Sequence, residues 1–277
     1  MKQDIVFAIV YDFDKTLCKD NSTDIFIKNY LKKDPIEFWG VLQEKNKINK
    51  IEPTLSYMLE FIRQSNEGCG EVTKDKLFEC GQHVEFFPGV ENYFNKINNY
   101  FHNHFKYETN YNFHLEHHII SSGLKEIIEG TSIAKYFTTI NACSYYYENN
   151  KAIWPQVCIS AFGKPEYLFR IRKRDNSYWD RNSIYYSESI IDFKNLIYIG
   201  DGETDIPSMV LTNRKHGTSI CVINDDRKGD VKFMNQLKYK GINHISEPNY
   251  DGNIMSTIQD VFYNRKYYTY YKGYKST

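Results

Sequence analysis

A surplus of charge is missing from this chain. Lys+Arg 35 against Asp+Glu 35 leave a formal net charge of +0 over 277 residues. A general basic surface for nucleic acid is therefore excluded. The one local basic run, Arg170-Ile171-Arg172-Lys173-Arg174, reads as a solvated helix end. Long hydrophobic runs are missing too. No apolar stretch approaches the roughly 20 residues that a membrane span needs, so no membrane role is expected. The first residues, Met1-Lys2-Gln3-Asp4, lead straight into a short apolar segment and lack the shape of a signal peptide. Cysteine is sparse and unpaired in pattern. Cys18, Cys69, Cys80, Cys143, Cys158 and Cys221 form no CxxC pair, which excludes a zinc pattern and a disulfide framework. These absences point to a soluble protein in a reducing compartment, with a cytoplasmic location expected. Tyr is abundant, at 24 residues, a bias without chemical content of its own.

What is present begins with an apolar run, Ile5-Val6-Phe7-Ala8-Ile9-Val10-Tyr11, followed at once by Asp12-Phe13-Asp14-Lys15-Thr16-Leu17. The run reads as a buried parallel strand. Carboxylates just past a strand's carboxyl end sit where open α/β sheets place their ligands. Unpaired charge there is costly, and a divalent cation, which prefers oxygen ligands, gives it a reason to exist. A second acidic loop, Gly200-Asp201-Gly202-Glu203-Thr204-Asp205, follows a second apolar run, Leu196–Ile199. In a parallel sheet the two loops can meet. The simplest assembly is one Mg²⁺ held by Asp12, by the backbone carbonyl of Asp14 and by Asp201, with Asp205 beside it or bridged to it by water.

Between these loops the pattern is first helical. Ser22 or Thr23, Asp34 with Pro35, Pro53, and Thr73 mark four helix starts. Gly68-Cys69-Gly70 breaks the chain before the last of these. Residues 17–84 therefore read as a small helical bundle inserted after the first strand. Val90, Tyr93, Phe94, Ile97 and Phe101 follow at helical spacing. The polar, His-rich stretch from Asn98 begins as a loop and reaches a strand over Phe113–Ile120. Lys125–Ile133 reads as a helix, and Tyr145–Trp154, turning at Asn149-Asn150, as a hairpin. Lys164-Pro165 opens another helix, and 175–192 reads as loop. Short strands are expected at Ser219–Ile223 and Ile242–Ile245, and a closing helix at Ile254–Phe262. The tail from Tyr267 to Thr277 is expected to be ordered only in part. Strands alternating with helices argue for an open parallel sheet covered on both faces.

The pair DFDKTL and GDGETD resembles the haloacid dehalogenase superfamily, in particular its phosphatase branch and its phosphoserine-phosphatase-like members. Ile119-Ile120-Ser121-Ser122-Gly123 is similar to that family's second motif, and Lys164, in Phe162-Gly163-Lys164-Pro165, to its third. All four stand in the family's order and span most of the chain. The resemblance implies an α/β, Rossmann-like three-layer core over 1–16 and 85–277, with a helical cap over 17–84. It implies a Mg²⁺-dependent phosphatase acting on a small phosphorylated metabolite through an aspartyl-phosphate intermediate. Asp12 would be the nucleophile. Asp14 would be the acid for the leaving oxygen and then the base for water. Thr16, Ser121, Ser122, Gly123 and Lys164 would bind phosphate, Lys164 also touching the nucleophile. Asp12, Asp14, Asp201 and Asp205 would form the metal site. Asp14 disfavours carbon–halogen cleavage, because the dehalogenase members lack that second Asp. A phosphotransferase or mutase on the same scaffold, or a non-catalytic phosphate-binding protein, remain as alternatives. The clustered His102, His104, His114, His117 and His118 read as solvated loop and strand-edge residues. Phe38, Trp39 and Met58, at helical spacing, read as core, and Cys18 as a neighbour of the cap hinge.

Overall fold

The computed structural model describes residues 2–65, 67, 71–174, 189–242 and 244–273. A seven-stranded sheet in the order β4-β3-β2-β1-β5-β6-β7 forms its centre. Strands β1 (Gln3–Tyr11), β2 (Tyr111–Leu124), β5 (Leu196–Gly200), β6 (Thr218–Val222) and β7 (His244–Ser246) run parallel, and β3 (Thr139–Glu148) is parallel to β2. Strand β4 (Lys151–Val157) returns antiparallel to β3 as a hairpin. Its turn residues Asn149 and Asn150 both have positive φ, 48° and 68°. That is the backbone a tight two-residue hairpin requires, and Asn tolerates it well.

The alternation of β1 builds two cores. Val6, Ala8 and Val10 face one layer, with Leu168 and Ile171 of α7 (Lys164–Lys173), Met209 of α8 (Ile206–Arg214) and Phe233 and Leu237 of α9 (Val231–Tyr239). Phe7, Ile9 and Tyr11 face the other layer. They pack with Val90, Phe94 and Phe101 of α5 (Val90–Phe105) and with Ile254, Ile258 and Phe262 of α10 (Asn253–Gly273). Helices on both faces of a mostly parallel sheet make the three layers.

Helices α1 (Thr23–Asn29), α2 (Pro35–Asn49), α3 (Pro53–Gln64) and α4 (Lys74–Gly81) come between β1 and α5. They close on Phe26, Phe38, Leu42, Met58, Phe61 and Leu77, and that cluster continues into Tyr145 and Ala152 of the hairpin. The caps follow local chemistry. Asp34 accepts from the Glu37 amide, Glu52 from Leu55 and Thr73 from Lys76, with Pro35 and Pro53 at the first helical positions. Helix α1 starts at Thr23 with Ser22 in the cap position as expected, although the Ser22 side chain makes no cap bond.

Other expectations change in extent. Helix α5 runs on through Asn98–Phe105, which had read as loop, because Phe105 extends the stripe of Ile97 and Phe101 and is buried with them. Strand β2 starts earlier and ends later than Phe113–Ile120, since Tyr111 already pairs with Gln3. The helix expected over Lys125–Ile133 stops at Glu129. Gly130 then lies flat on helix α4, where a Cβ would fall 1.9 Å from the Phe78 carbonyl oxygen. A 3₁₀ turn over Ala134–Tyr136 follows. The closing helix continues to Gly273, beyond Phe262. The expected break at Gly68-Cys69-Gly70, most of the 175–192 loop and residues 274–277 lie outside the described residues. Among the described residues, no helix is long and apolar enough to cross a membrane.

Candidate active site

The strand order reverses at β1, so β2 and β5 flank it on opposite sides. This is a topological switch point, where the loops beyond the strand ends part and leave a crevice. Register decides what stands there. Tyr11 is level with Ile119 of β2 and Ile199 of β5. Asp12 therefore follows the end of β1 close to Ser121 on one side and Asp201 on the other. The three motifs, far apart in the chain, line one cleft of about 460 Å³.

Lys164, the first residue of α7, reaches this point from below. It is 1% exposed, with its Nζ 2.9 Å from Asp12 Oδ1 and 2.7 Å from Asp205 Oδ1. Burial works against its charge. The pull of Asp12 and Asp205 outweighs that cost and holds the ammonium above its ordinary range. Asp205 is also fully buried. Its Oδ1 accepts from Tyr198 OH at 2.7 Å and its Oδ2 from the Gly202 amide at 3.2 Å. Asp205 thus holds Lys164 through Oδ1 and adds negative charge, while Oδ2, with one donor, keeps a lone pair that could face a cation.

The carboxylates of Asp12, Asp201 and Asp205 offer oxygens within 4.8 Å of one another. Burial and the charge of Asp205 push Asp12 well above the usual carboxylate range, and push Asp201 up to about 7. Three carboxylates against one ammonium leave a buried excess of negative charge. An all-oxygen donor set with that excess fits a hard divalent cation. Thr16 donates to Asp201 Oδ1 at 3.4 Å, and its own carbonyl accepts from Tyr250 OH at 3.0 Å.

Asp14 stands apart from that cluster. Lys15, at φ 58°, turns the chain so that the Leu17 amide bonds back to Phe13 O at 2.9 Å. Asp14 Oδ1 then accepts from the Ser22 amide at 2.8 Å. Burial raises its pKa and the Ser22 bonds only partly offset this. Asp14 Oδ2 lies against Gly123, where an added Cβ would come within 2.9 Å. The two serines differ. The Ser121 hydroxyl accepts from the Gly123 amide at 2.9 Å, which leaves its proton for another acceptor. The Ser122 hydroxyl donates to Ile159 O at 2.8 Å.

Several residues behave otherwise than the sequence suggested. His117 and His118 are buried at 3% and 1%, not solvated. His117 is 2.9 Å from Tyr11 OH and from Asn98 Oδ1, and His118 is 2.8 Å from Thr139 Oγ1, so both serve the interior of the sheet. The basic run of α7 is not a free helix end: Arg170 is buried against Glu166, Arg172 donates to Ile191 O over the Phe193 ring, and Arg174 pairs with Glu116. Phe38 and Met58 are core, but Trp39 lines the cleft with Tyr57. Sequence reasoning also passed over Tyr198 and Ser22. Tyr198 is hidden inside an apolar strand, and Ser22 acts through its amide. Cys18 is buried, and that burial raises its thiol far above the range of a nucleophile.

No family model matches the chain. Its fold, a parallel sheet with a switch-point cleft and helices interposed after the first strand, is similar to that of solved haloacid dehalogenase-type hydrolases. A HAD family hydrolase from Salmonella enterica subsp. enterica serovar Typhi superposes with a TM-score of 0.56 at 17% identity over 86% of this chain. The match spans 66% of that protein, just under two thirds of its length. A phosphoserine phosphatase captured as a phospho-aspartyl intermediate analogue superposes with a TM-score of 0.53 at 16% identity, covering 90% of this chain and 95% of that one. Among curated proteins, an uncharacterized protein of Borreliella burgdorferi is 27% identical over 271 residues, 88% of this chain and 92% of that protein.

Proposed function

We propose that the chain is a Mg²⁺-dependent phosphoric monoester hydrolase acting on a small phosphorylated metabolite. One observation carries this reading. Asp12, just past the switch-point strand, is held 2.9 Å from a buried ammonium on the floor of a cleft that also contains Asp14 and Ser121. A carboxylate so placed can attack phosphorus, and its neighbours can hold the three phosphoryl oxygens.

In the first step an Asp12 oxygen bonds to phosphorus and the bond to the substrate's alcohol oxygen breaks. Asp14 gives that oxygen its proton, and its raised pKa suits a general acid. Lys164 and the Ser121 hydroxyl hold the phosphoryl oxygens. In the second step Asp14 takes a proton from water, which attacks phosphorus and releases Asp12 and inorganic phosphate. Mg²⁺ would be held by Asp12, the Asp14 carbonyl and Asp201, and would supply charge that screens carboxylate from phosphate. Residues 17–84 act as a cap over a core of 1–16 and 85–277. Its helices form one side of the cleft and exclude bulk water. The fold shared with a phosphoserine phosphatase solved as a phospho-aspartyl intermediate analogue supports this route.

The test is hydrolysis of 4-nitrophenyl phosphate with and without Mg²⁺. Asp12→Asn is expected to lose more than about a thousandfold in kcat, in line with removal of a nucleophile. Full activity in Asp12→Asn would rule the mechanism out.

A further inference from the structure

The cleft has two unlike ends. At the phosphate end are the carboxylates and Lys164. The opposite wall, given by the interposed helices, is Asn21, Thr23, Trp39, Pro53, Thr54 and Tyr57. None of these carries a charge. Trp39 is held rigidly. Its Nε1 donates to Asp24 Oδ1 at 2.6 Å, and its ring meets Phe38 and Tyr57 edge-on at 5.3 and 5.8 Å. Tyr57 is fixed in turn by its hydroxyl, which donates to Ser122 O at 2.7 Å. The Trp39 side chain is only partly buried, and it lines the cleft.

Two cations also line the cleft, away from this wall, and each stands near an acid. Arg227 faces Glu203 at 3.5 Å across the rim. Lys15 lies in the field of Asp201 and Asp24. The amino end of α3 points its first residues at the cleft and would be the natural receptor for a carboxylate. Its Leu55 amide is already taken by the Glu52 side chain at 2.6 Å and Pro53 has no amide proton, so the Thr54 amide is what this helix start keeps beside the cleft.

We propose that the natural substrate is a primary-alcohol phosphate monoester whose alcohol part carries an uncharged planar ring, seated against the Trp39 face. Trp39 is then a specificity residue. The ring gains from apolar burial and from contact with the indole, a gain that an amino-acid zwitterion against the same uncharged wall would lack. This deepens the phosphatase reading and rests on it for the identity of the phosphate end.

The test uses the Mg²⁺-loaded protein with benzyl phosphate, ethyl phosphate and O-phospho-L-serine. All three release primary alcohols, so differences report recognition more than leaving-group chemistry. Uridine 5′-monophosphate tests whether the ring can be a nucleobase. Benzyl phosphate is expected to exceed both others in kcat/KM by about tenfold, the ratio that 1.4 kcal/mol of ring contact provides. Trp39→Ala should remove that advantage, chiefly through KM, so that the kcat/KM ratio of benzyl to ethyl phosphate falls from about ten to within about twofold of one. Trp39→Phe keeps an aromatic face and should keep most of the preference, which separates recognition from a folding defect. Hydrolysis of phosphoserine as well as or better than benzyl phosphate would overturn the proposal. So would an equal loss on all three esters in Trp39→Ala. If no ester is hydrolysed, the phosphatase reading fails, and titration calorimetry still decides this inference. Tighter binding of benzyl phosphate than of phosphoserine supports it, and equal, weaker or undetectable binding overturns it.

Discussion

Lowering the pH from 7 to 5 should cost this fold about 2 kcal/mol through one buried residue, His117, and the sign follows from its surroundings. His117 lies on β2 beneath α5, stacked on Tyr11 at 5.9 Å. One ring nitrogen lies 2.9 Å from Tyr11 OH and the other 2.9 Å from Asn98 Oδ1. Asn98 Oδ1 can only accept, so Nε2 carries the proton and Nδ1 accepts from the tyrosine. A second proton, on Nδ1, would face the Tyr11 hydroxyl and force it to turn its own proton to Tyr93, and it would put a charge where no water reaches it. Burial, with a smaller contribution from the charge of His118, pushes the pKa from the ordinary 6.5 down to about 3. The unfolded chain therefore binds a proton in the window between about 6.5 and 3 that the folded chain refuses. Stability from this group is fully present above pH 6.5 and is lost as pH falls through that window. Each pH unit inside it removes about 1.4 kcal/mol, which gives about 2 kcal/mol at pH 5. Urea titrations at pH 7 and pH 5 measure the loss. His117→Gln keeps a donor and an acceptor but does not titrate. It should start about 1–3 kcal/mol less stable and show a pH 7-to-5 loss smaller by about 2 kcal/mol than the parent. If parent and variant lose the same amount, His117 titrates as it would in water, and its account as a buried neutral imidazole is refuted.

Two further outcomes follow from the site. Lys164→Met leaves Asp12 and Asp205 buried together without their ammonium. Metal-free protein should lose about 3–5 kcal/mol in urea titration, and an unchanged midpoint would show that the ion pair does not hold these carboxylates. Gly123→Ala puts a methyl group 2.9 Å from Asp14 Oδ2, so the acid must move. A fall in kcat of about tenfold or more is expected at nearly unchanged stability, because a small displacement of an acid/base group is costly to rate, and parental kcat would break the assigned role of Asp14.

The chain's local grammar was enough for the acidic loops. An apolar run that stops at Asp12 or at Gly200-Asp201 reads as a strand end bearing carboxylates, and parallel pairing can bring such ends together. The helix starts at Asp34, Pro53 and Thr73 were legible for a similar reason, because the signals that open a helix act within one turn, whereas the Glu52 cap was seen only in the structure. Side-chain direction was not legible. Trp39 has the spacing of a core residue, and only the docking of α2 and α3 turns its ring to the cleft. His117 and His118 belong to a polar stretch, and only the sheet buries them. Serine is the same residue at 121 and 122, yet one hydroxyl keeps its proton for a ligand while the other gives it to Ile159 O. The amino-acid order alone thus determined which chemical groups stand at the strand ends, since backbone periodicity acts over a few residues. Tertiary structure decided which of them touch, because Lys164 meets Asp12 and Asp205 only when helix and sheet pack, and the strength of that contact depends on the water their packing removes.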